Sequence, residues 1–352
     1  MADEVKFIQA DILRDYCSQL LQKVGVPEDH SRIVADSLVE ADLTGVESHG
    51  VTRMAVYMKR LRNGGINPVL ELKTVMDGPG TAVVDACHSI GQVTSYKVME
   101  MAIEKAKKVG ISFISVKNSD HFGAAGYFAK MALPHNMIGF SGTNGAARMA
   151  PWGGREPLFG TNPFAMAIPA GKQLPIVADM ASCVVARGKI ILANKKKQPI
   201  PLGWAITKDG EDTTDAQEAL KGTLLPFGGP KGSAIAIIVE TLTGILAGSL
   251  MSSQLVDMAS NPSTKNPVSH YFGAIDIAAF GPVEEFKEKV DQMILSVKRC
   301  AKAKNVTEIF LPGEIEERKK QKRLKEGIPV PRVILDELKR EGEACGIPYT
   351  LE

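Results

Sequence analysis

VTSYKVMEMAIEKAKKVGISFISVKNSDHFGAAGYFAKMALPHNMIGFSGTN, residues 93–144, carries two periodicities in alternation. Through VTSYKVMEMAIEKAKKVG the apolar residues recur three and four apart, as on one helix face, whereas ISFISVK is a short extended run. The pair then repeats, with GAAGYFAKMA helical from Gly123 and MIGFSGTN extended. Helix and strand in alternation predict an α/β fold. On the N-terminal side, LKTVM, a turn at DGPG, and TAVVDA read as a strand pair. On the C-terminal side, NPFAMAI, PIVADM and VSHYFGAIDI read as strands. Residues 232–247 read as a long helix, apolar nearly all round, which predicts burial.

The flanks are helical. One helix is predicted over 10–24, stopping at Gly25, and a second starts at Pro27 and turns Ile33, Val34, Leu38 and Ala41 inward. A third begins at Ser48 and ends before Gly64 and Gly65. Beyond Pro282 the chain returns to helix, makes one strand at TEIFL (307–311), and finishes with two charged helices.

Composition sets the bounds. The 352 residues are 23% charged and 44% hydrophobic, ordinary for a globular protein with a sizeable core. No apolar run approaches the roughly 20 residues that span a bilayer, and MADEVKFIQADIL lacks the pattern of an export signal. The expectation is a cytoplasmic protein without a membrane partner. Five scattered cysteines, Cys17, Cys87, Cys183, Cys300 and Cys345, form no short-range pair, so free and mostly buried thiols are expected, with no metal site. The net charge is +2. Its basic runs, at 195–197 and ERKKQKR (317–323), lack interleaved aromatic residues, so they read as solvated faces and not as a nucleic-acid surface.

Five segments can carry chemistry. On the third predicted helix, His49, Arg53 and Tyr57 are four apart and share a face, with Ser48 as N-cap. The dipole there favours a neutral imidazole, and Arg53 offers a fork suited to a carboxylate. The loop KNSDHFGAAG (117–126) follows a strand and holds His121 beside Asp120. In APWGGREPLFGTNPFA (150–165), Thr161 and Asn162 supply polar groups after Gly160. ADMAS (178–182) ends a strand and is expected to enter a helix whose amides face an anion, and FGGPKGS (227–233) sets Lys231 at a helix head. Each also has a bland reading as polar helix face, surface loop or turn. The fingerprints of nucleotide-binding Rossmann domains, P-loops, zincins and α/β-hydrolases are absent from the sequence.

Taken in order, SHGVTR, NSDHFGAAGY, APWGG, GTNP, DMAS and GGPKG resemble the family of type-2 malate and L-lactate dehydrogenases. Ureidoglycolate and sulfolactate dehydrogenases, 2,3-diketogulonate reductase and cyclic imine reductases are further members. The resemblance runs over 41–331, and six motifs in register are specific where each alone is weak. It implies a non-Rossmann, NAD(P)-binding mixed-sheet domain over 76–304. An N-terminal helical domain, 1–75, is completed by C-terminal helices at 305–352. It also implies a homodimer or larger homo-oligomer.

Carried over by residue, the resemblance makes His49 and His121 the proton-transfer candidates, with Ser48, Arg53, Tyr57 and Thr161 around the substrate. Gly160, Asn162, Asp179, Met180, Ala181, Lys231, Gly232, Pro312, Gly313 and Glu314 fall to the cofactor, NAD or NADP. The implied substrate is a small 2-hydroxy or 2-oxo acid, L-malate first and L-lactate second. A cyclic imine and a non-catalytic ligand-binding role are the alternatives. The chain departs from the family where Asp120 replaces a usual Asn, where Ser182 and Cys183 follow DMA, and at GGPKGS. A carboxylate at 120 is expected to raise the pKa of the neighbouring histidine.

With backbone-rich loops and no metal-ligand cluster in the sequence, binding of reduced nicotinamide dinucleotide should survive a chelator. Fluorescence titration with and without chelator checks this. Loss of binding, restored by zinc or magnesium, would contradict it.

Overall fold

The computed structural model describes residues 5–351. A short strand, β1 (Val5–Ile8), leads into α1 (Ala10–Lys23) and α2 (Glu28–Thr44). Leu13, Tyr16, Cys17, Leu20 and Leu21 of α1 share one buried cluster with Val34, Leu38 and Val39 of α2. Their spacing of three and four is what packs the two helices. Gly45, at φ 83°, closes α2 in the left-handed conformation that favours glycine.

The third predicted helix does not start at Ser48. Residues 47–49 and 51–53 form two single 3-10 turns separated by extended Gly50, and α3 runs from Met54 to Arg62. Asp42 supplies the reason. Its carboxylate accepts the Val51 N–H at 2.8 Å, and a β-carbon on Gly50 would fall 1.8 Å from its Oδ1. The chain is drawn onto this carboxylate and cannot continue as one helix. Ser48 caps no helix; its hydroxyl lies 2.9 Å from His49 Nδ1.

The α/β alternation is present. It comprises β2 (Lys73–Asp77), β3 (Thr81–Asp85), α4 (Gly91–Val109), β4 (Ile111–Ser119), α5 (Ala125–Ala129), β5 (Met137–Thr143), β6 (Phe164–Ile168) and β7 (Ile176–Met180). After a small lobe of α6 (Arg187–Lys195), β8 (Ala205–Ile206), α7 (Ala216–Lys221) and β9 (Thr223–Leu224) come α8 (Pro230–Glu240) and β10 (Val268–Asp276). The mixed seven-stranded sheet has the order β2-β3-β4-β10-β5-β6-β7, with β3 and β4 parallel and the other neighbours antiparallel. Central β10 is buried from Val268 to Ala274. The helix expected from Gly123 begins two residues later, because 120–124 run on as a loop. No helix directly follows β7; two residues past it the Ser182 amide donates to the Thr161 carbonyl at 2.8 Å, and α6 starts at Arg187.

Helices α9 (Val283–Arg299) and α10 (Glu314–Glu326), strand β11 (Ile328–Pro331) and α11 (Arg332–Cys345) complete the chain. TEIFL is not a strand: Phe310 is covered by the cations of Lys298 and Arg318, and Ile309 O is taken by Lys298 at 2.7 Å. The strand that does form, β11, pairs with β1 from Val5↔Pro331 to Ile8↔Ile328. Two prolines hide it in the sequence and suit it to an edge. Ile328, Val330, Leu335 and Leu338 thereby join the core of α1 and α2.

Burial of residues 232–247 is corrected as well. α8 passes into a π-helical turn at Thr241–Ile245, and Ile237, Ile238, Ile245 and Leu246 are about half exposed. The inward face instead holds small residues and Glu240, whose carboxylate accepts from Ser252 N–H at 2.8 Å and Asn162 Nδ2 at 2.9 Å. Of the free thiols, Cys17 and Cys183 are buried, Cys87 and Cys345 half-buried, and Cys300 exposed. Among the described residues no helix is long and apolar enough to cross a membrane.

A buried ion pair ties the helical part to the sheet. Arg60 of α3 meets Asp120, just past β4, at 2.6 Å, with both side chains almost fully buried. Arg60 also donates to the carbonyls of Gly65, Asn261 and Thr264. Arg60→Met should cost about 3–5 kcal/mol in urea unfolding by stranding the Asp120 charge. Adding Asp120→Asn should restore part of the loss. An unchanged unfolding midpoint in the single variant would contradict the pairing.

Candidate active site

A cleft of about 700 Å³ opens between the end of α2, the 123–126 loop, the end of β7 and the 312–313 turn. That size suits a cofactor or substrate. Ser48, His49, Thr161, Asp179, Met180, Ala181, Pro312 and Gly313 all line it. Residues distant in sequence meet there because the 3-10 turns, two strand ends and the start of α10 converge.

At the His49 end of the cleft the histidines form a unit. The His49 and His121 rings stack, with centroids 5.5 Å apart and planes 18° from parallel. Tyr57, on α3, places its hydroxyl 2.6 Å from His121 Nδ1. Burial raises the Tyr57 pKa, so the phenol stays protonated. Arg53 Nε donates to Ser48 O at 2.6 Å. Its terminal amino groups have no hydrogen-bond partner among the described residues, and they are the fork that an anion would meet.

Electrostatics keep both rings neutral. Burial, then the Arg53 charge, depresses His49 to about 4. His121 is held well below 6.5 by burial, then by Arg53 and His49. The expected upward push from Asp120 does not appear. That carboxylate is adjacent, accepting the His121 N–H at 2.8 Å, but Arg60 neutralises it. Two neutral imidazoles beside an unpaired guanidinium can exchange a proton with a bound hydroxyl and hold its carboxylate.

The cofactor candidates divide. Asp179 accepts the Gly126 N–H at 2.7 Å, burial lifts its carboxyl to about 6, and a β-carbon on Gly126 would lie 2.9 Å from it. This close backbone leaves room for a ligand over 123–126. Gly313, at φ 89°, packs on Val177, whose N–H donates to Pro312 O at 3.0 Å. Gly160 is buried against the Gly145 carbonyl. Three other side chains are not among the cleft's lining. Asn162 is fully buried and bonded to Glu240; Glu314 is committed to Lys298 at 2.5 Å and Arg318 at 2.7 Å; Lys231 is exposed at the head of α8. Gly232 is buried under Phe227 and Ser182.

Sequence reading missed Glu40, Lys130 and His270. Glu40 lines the cleft and pairs with Lys130 at 2.5 Å and Lys320 at 2.9 Å. Burial opposes its charge, yet the two lysines hold its pKa below the usual range. A glutamate on the inward face of α2 was the available signal. His270, buried on β10, stacks on Phe122 at 4.7 Å behind His121, and its place in a strand run concealed it. Among the described residues no group of three or more His, Cys, Asp or Glu is arranged to hold a metal ion.

Comparison with known proteins gives a consistent result. The sequence profile described as malate/L-lactate dehydrogenase matches residues 8–339. An L-sulfolactate dehydrogenase of Methanocaldococcus jannaschii is 43% identical over 93% of this chain and 94% of its own. A malate dehydrogenase of Pyrococcus horikoshii is 41% identical over 97% and 96%. The solved structure of the M. jannaschii sulfolactate dehydrogenase superposes with a TM-score of 0.93 at 40% identity, covering 98% of each chain.

NMR titration of the unliganded protein should place the His49 midpoint near 4, and Arg53→Gln should move the His49 and His121 midpoints upward. The sign follows from linkage. An imidazole kept neutral by the fold contributes its full stability above about 6.5, and loses it as pH falls from there toward 4. Midpoints near 6.5 that ignore Arg53 would contradict this electrostatic arrangement.

Proposed function

This chain belongs to the malate/L-lactate dehydrogenase family, whose members are 2-hydroxy acid dehydrogenases acting on a CH–OH group, and from that premise we propose that it interconverts L-malate and oxaloacetate with NAD or NADP. The observation that carries the reading is the cluster of His49, His121, Tyr57 and Arg53 at the end of a cleft walled by close-approaching backbone. A dinucleotide fits the backbone of 123–126, 179–181 and 312–313, where glycines and small side chains keep the wall low. When bound, it supplies or accepts the hydride at the carbon bearing oxygen.

The chain's own groups do the rest. Arg53 holds the C1 carboxylate through its free amino groups, setting the hydroxyl carbon beside the rings. His121 takes the hydroxyl proton on oxidation and returns it on reduction, while Tyr57 fixes the ring through Nδ1. His49 covers the opposite ring face. The anion has a second effect: its charge offsets the Arg53 field, the second cause after burial of the depression of both histidines, so acid binding raises their basicity in part. We assign Ser48 and Thr161 to the substrate's surroundings and expect a homodimer, which the exposed apolar face of Ile237, Ile238, Ile245 and Leu246 supports. L-Sulfolactate is the second reading, favoured by the name of the relative that is 43% identical.

Reduced-nicotinamide absorbance, followed over oxaloacetate, pyruvate and sulfopyruvate with each dinucleotide, should give the highest kcat/KM with oxaloacetate. Highest efficiency with sulfopyruvate would favour the second reading, and no turnover of any oxo acid would overturn both. Arg53→Lys should raise KM and lower kcat/KM by about ten- to a thousandfold, with dinucleotide affinity nearly unchanged. His121→Ala should depress kcat by about a hundred- to ten-thousandfold, more than His49→Ala. Unchanged substrate kinetics in Arg53→Lys with weakened dinucleotide binding would place this segment on the cofactor instead.

A further inference from the structure

The start of α6 borders two cavities. Ala186 lines the cleft described above, whereas the next residue, Arg187, lines a second cavity of about 210 Å³. Its wall is apolar at Ile190, Leu220 and Leu224, and three cations face it: Arg148, Arg187 and Lys221. Two of these have a carboxylate. Arg148 pairs with Asp257, and Lys221 pairs with Glu218 at 2.8 Å.

Arg187 has no carboxylate among the described residues; its hydrogen bond goes from Nη2 to the Leu220 carbonyl at 3.2 Å. The charge of Asp257 reaches Arg187 without forming an ion pair with it. One oxygen is taken by Arg148, and the other accepts from Ala259 N–H at 3.1 Å, Ser260 N–H at 3.0 Å and Ser260 Oγ at 3.1 Å. Burial, followed by the charge of Arg148, lowers the pKa of Arg187, and Asp257 offsets part of the shift, so a further negative charge beside it would be favourable. Half-buried guanidinium groups that repel each other, short of one counter-ion and set in a concave wall, suit a small oxyanion.

We propose that this cavity is a second, anion-binding site, separate from the hydride-transfer cleft, that takes a small carboxylate or inorganic oxyanion between Arg187 and Arg148. The cavity is too small for a nucleotide and matches an acid of a few carbons or a phosphate. Apolar walls and a half-buried fork favour a compact anion with two oxygens presented together.

Calorimetric titration of the full-length, dinucleotide-free protein at low salt tests this, with inorganic phosphate in one arm and malate in the other. Arg53→Gln serves as the background that removes the cleft's own carboxylate contact. Saturable binding should persist in Arg53→Gln and weaken at least about tenfold when Arg187→Gln is added. Binding of phosphate but not malate would identify an inorganic oxyanion as the ligand, and the reverse an organic acid. If Arg187→Gln does not fold, Arg187→Lys keeps the charge without the fork and should still weaken binding. The proposal is overturned if Arg53→Gln alone abolishes binding of both anions, or if neither Arg187 variant changes it. Both readouts are independent of turnover, so failure of the proposed dehydrogenase substrate would leave them standing.

Discussion

Two contacts of 2.6 Å fasten the same pair of elements. Arg60 and Tyr57 lie one turn apart on α3; Asp120 and His121 are consecutive residues past β4. The ion pair and the phenol–imidazole hydrogen bond therefore close together, and each limits the movement of the other. Neither charge is stable alone in that interior, since an isolated buried ion costs several kcal/mol. The carbonyls of 261–264 complete the shell around Arg60 and bring a third segment to the same point. Helical core, sheet and site are thus joined at one buried guanidinium.

A second arginine carries the proposed chemistry. Arg53 stands one and a half to two turns before Arg60, but it is only half-buried and has no carboxylate partner among the described residues, so its field reaches the two histidines. Arg60 has its charge paired within the fold, whereas Arg53, in the proposed function, offers its charge to an incoming acid. Identical side chains differ here because one was given a counter-ion by the chain. The small lobe repeats the pattern with Arg148, which pairs with Asp257, and Arg187, which forms no ion pair among the described residues.

Much of this was legible in the sequence. Helical spacing in α1, α2 and α4 and the apolar runs of the sheet strands read directly, because local periodicity and burial agree there. SHGVTR and NSDHFGAAGY marked the histidines and Arg53, since glycine and polar residues at a strand end have few structural uses. What failed depended on distant partners. The break at Gly50 is imposed by Asp42, eight residues earlier; β11 needs β1 across the whole chain; α8 looked buried because its inward polar network around Glu240 comes from Asn144, Asn162 and Ser252. Asp120 suggested a raised histidine pKa because Arg60, its partner, was indistinguishable from any other basic residue on a helix.

In the proposed function, an acid bound at Arg53 relieves the part of the histidine depression that the Arg53 charge causes. Proton uptake measures this directly. Malonate, an unreactive dicarboxylate, would be added to the protein in weakly buffered solution at a pH between the His49 value of about 4 and the ordinary 6.5, with an indicator dye. Protons should be taken up as malonate saturates, in step with binding followed by calorimetry. Saturable malonate binding with no proton uptake in that pH window would contradict it.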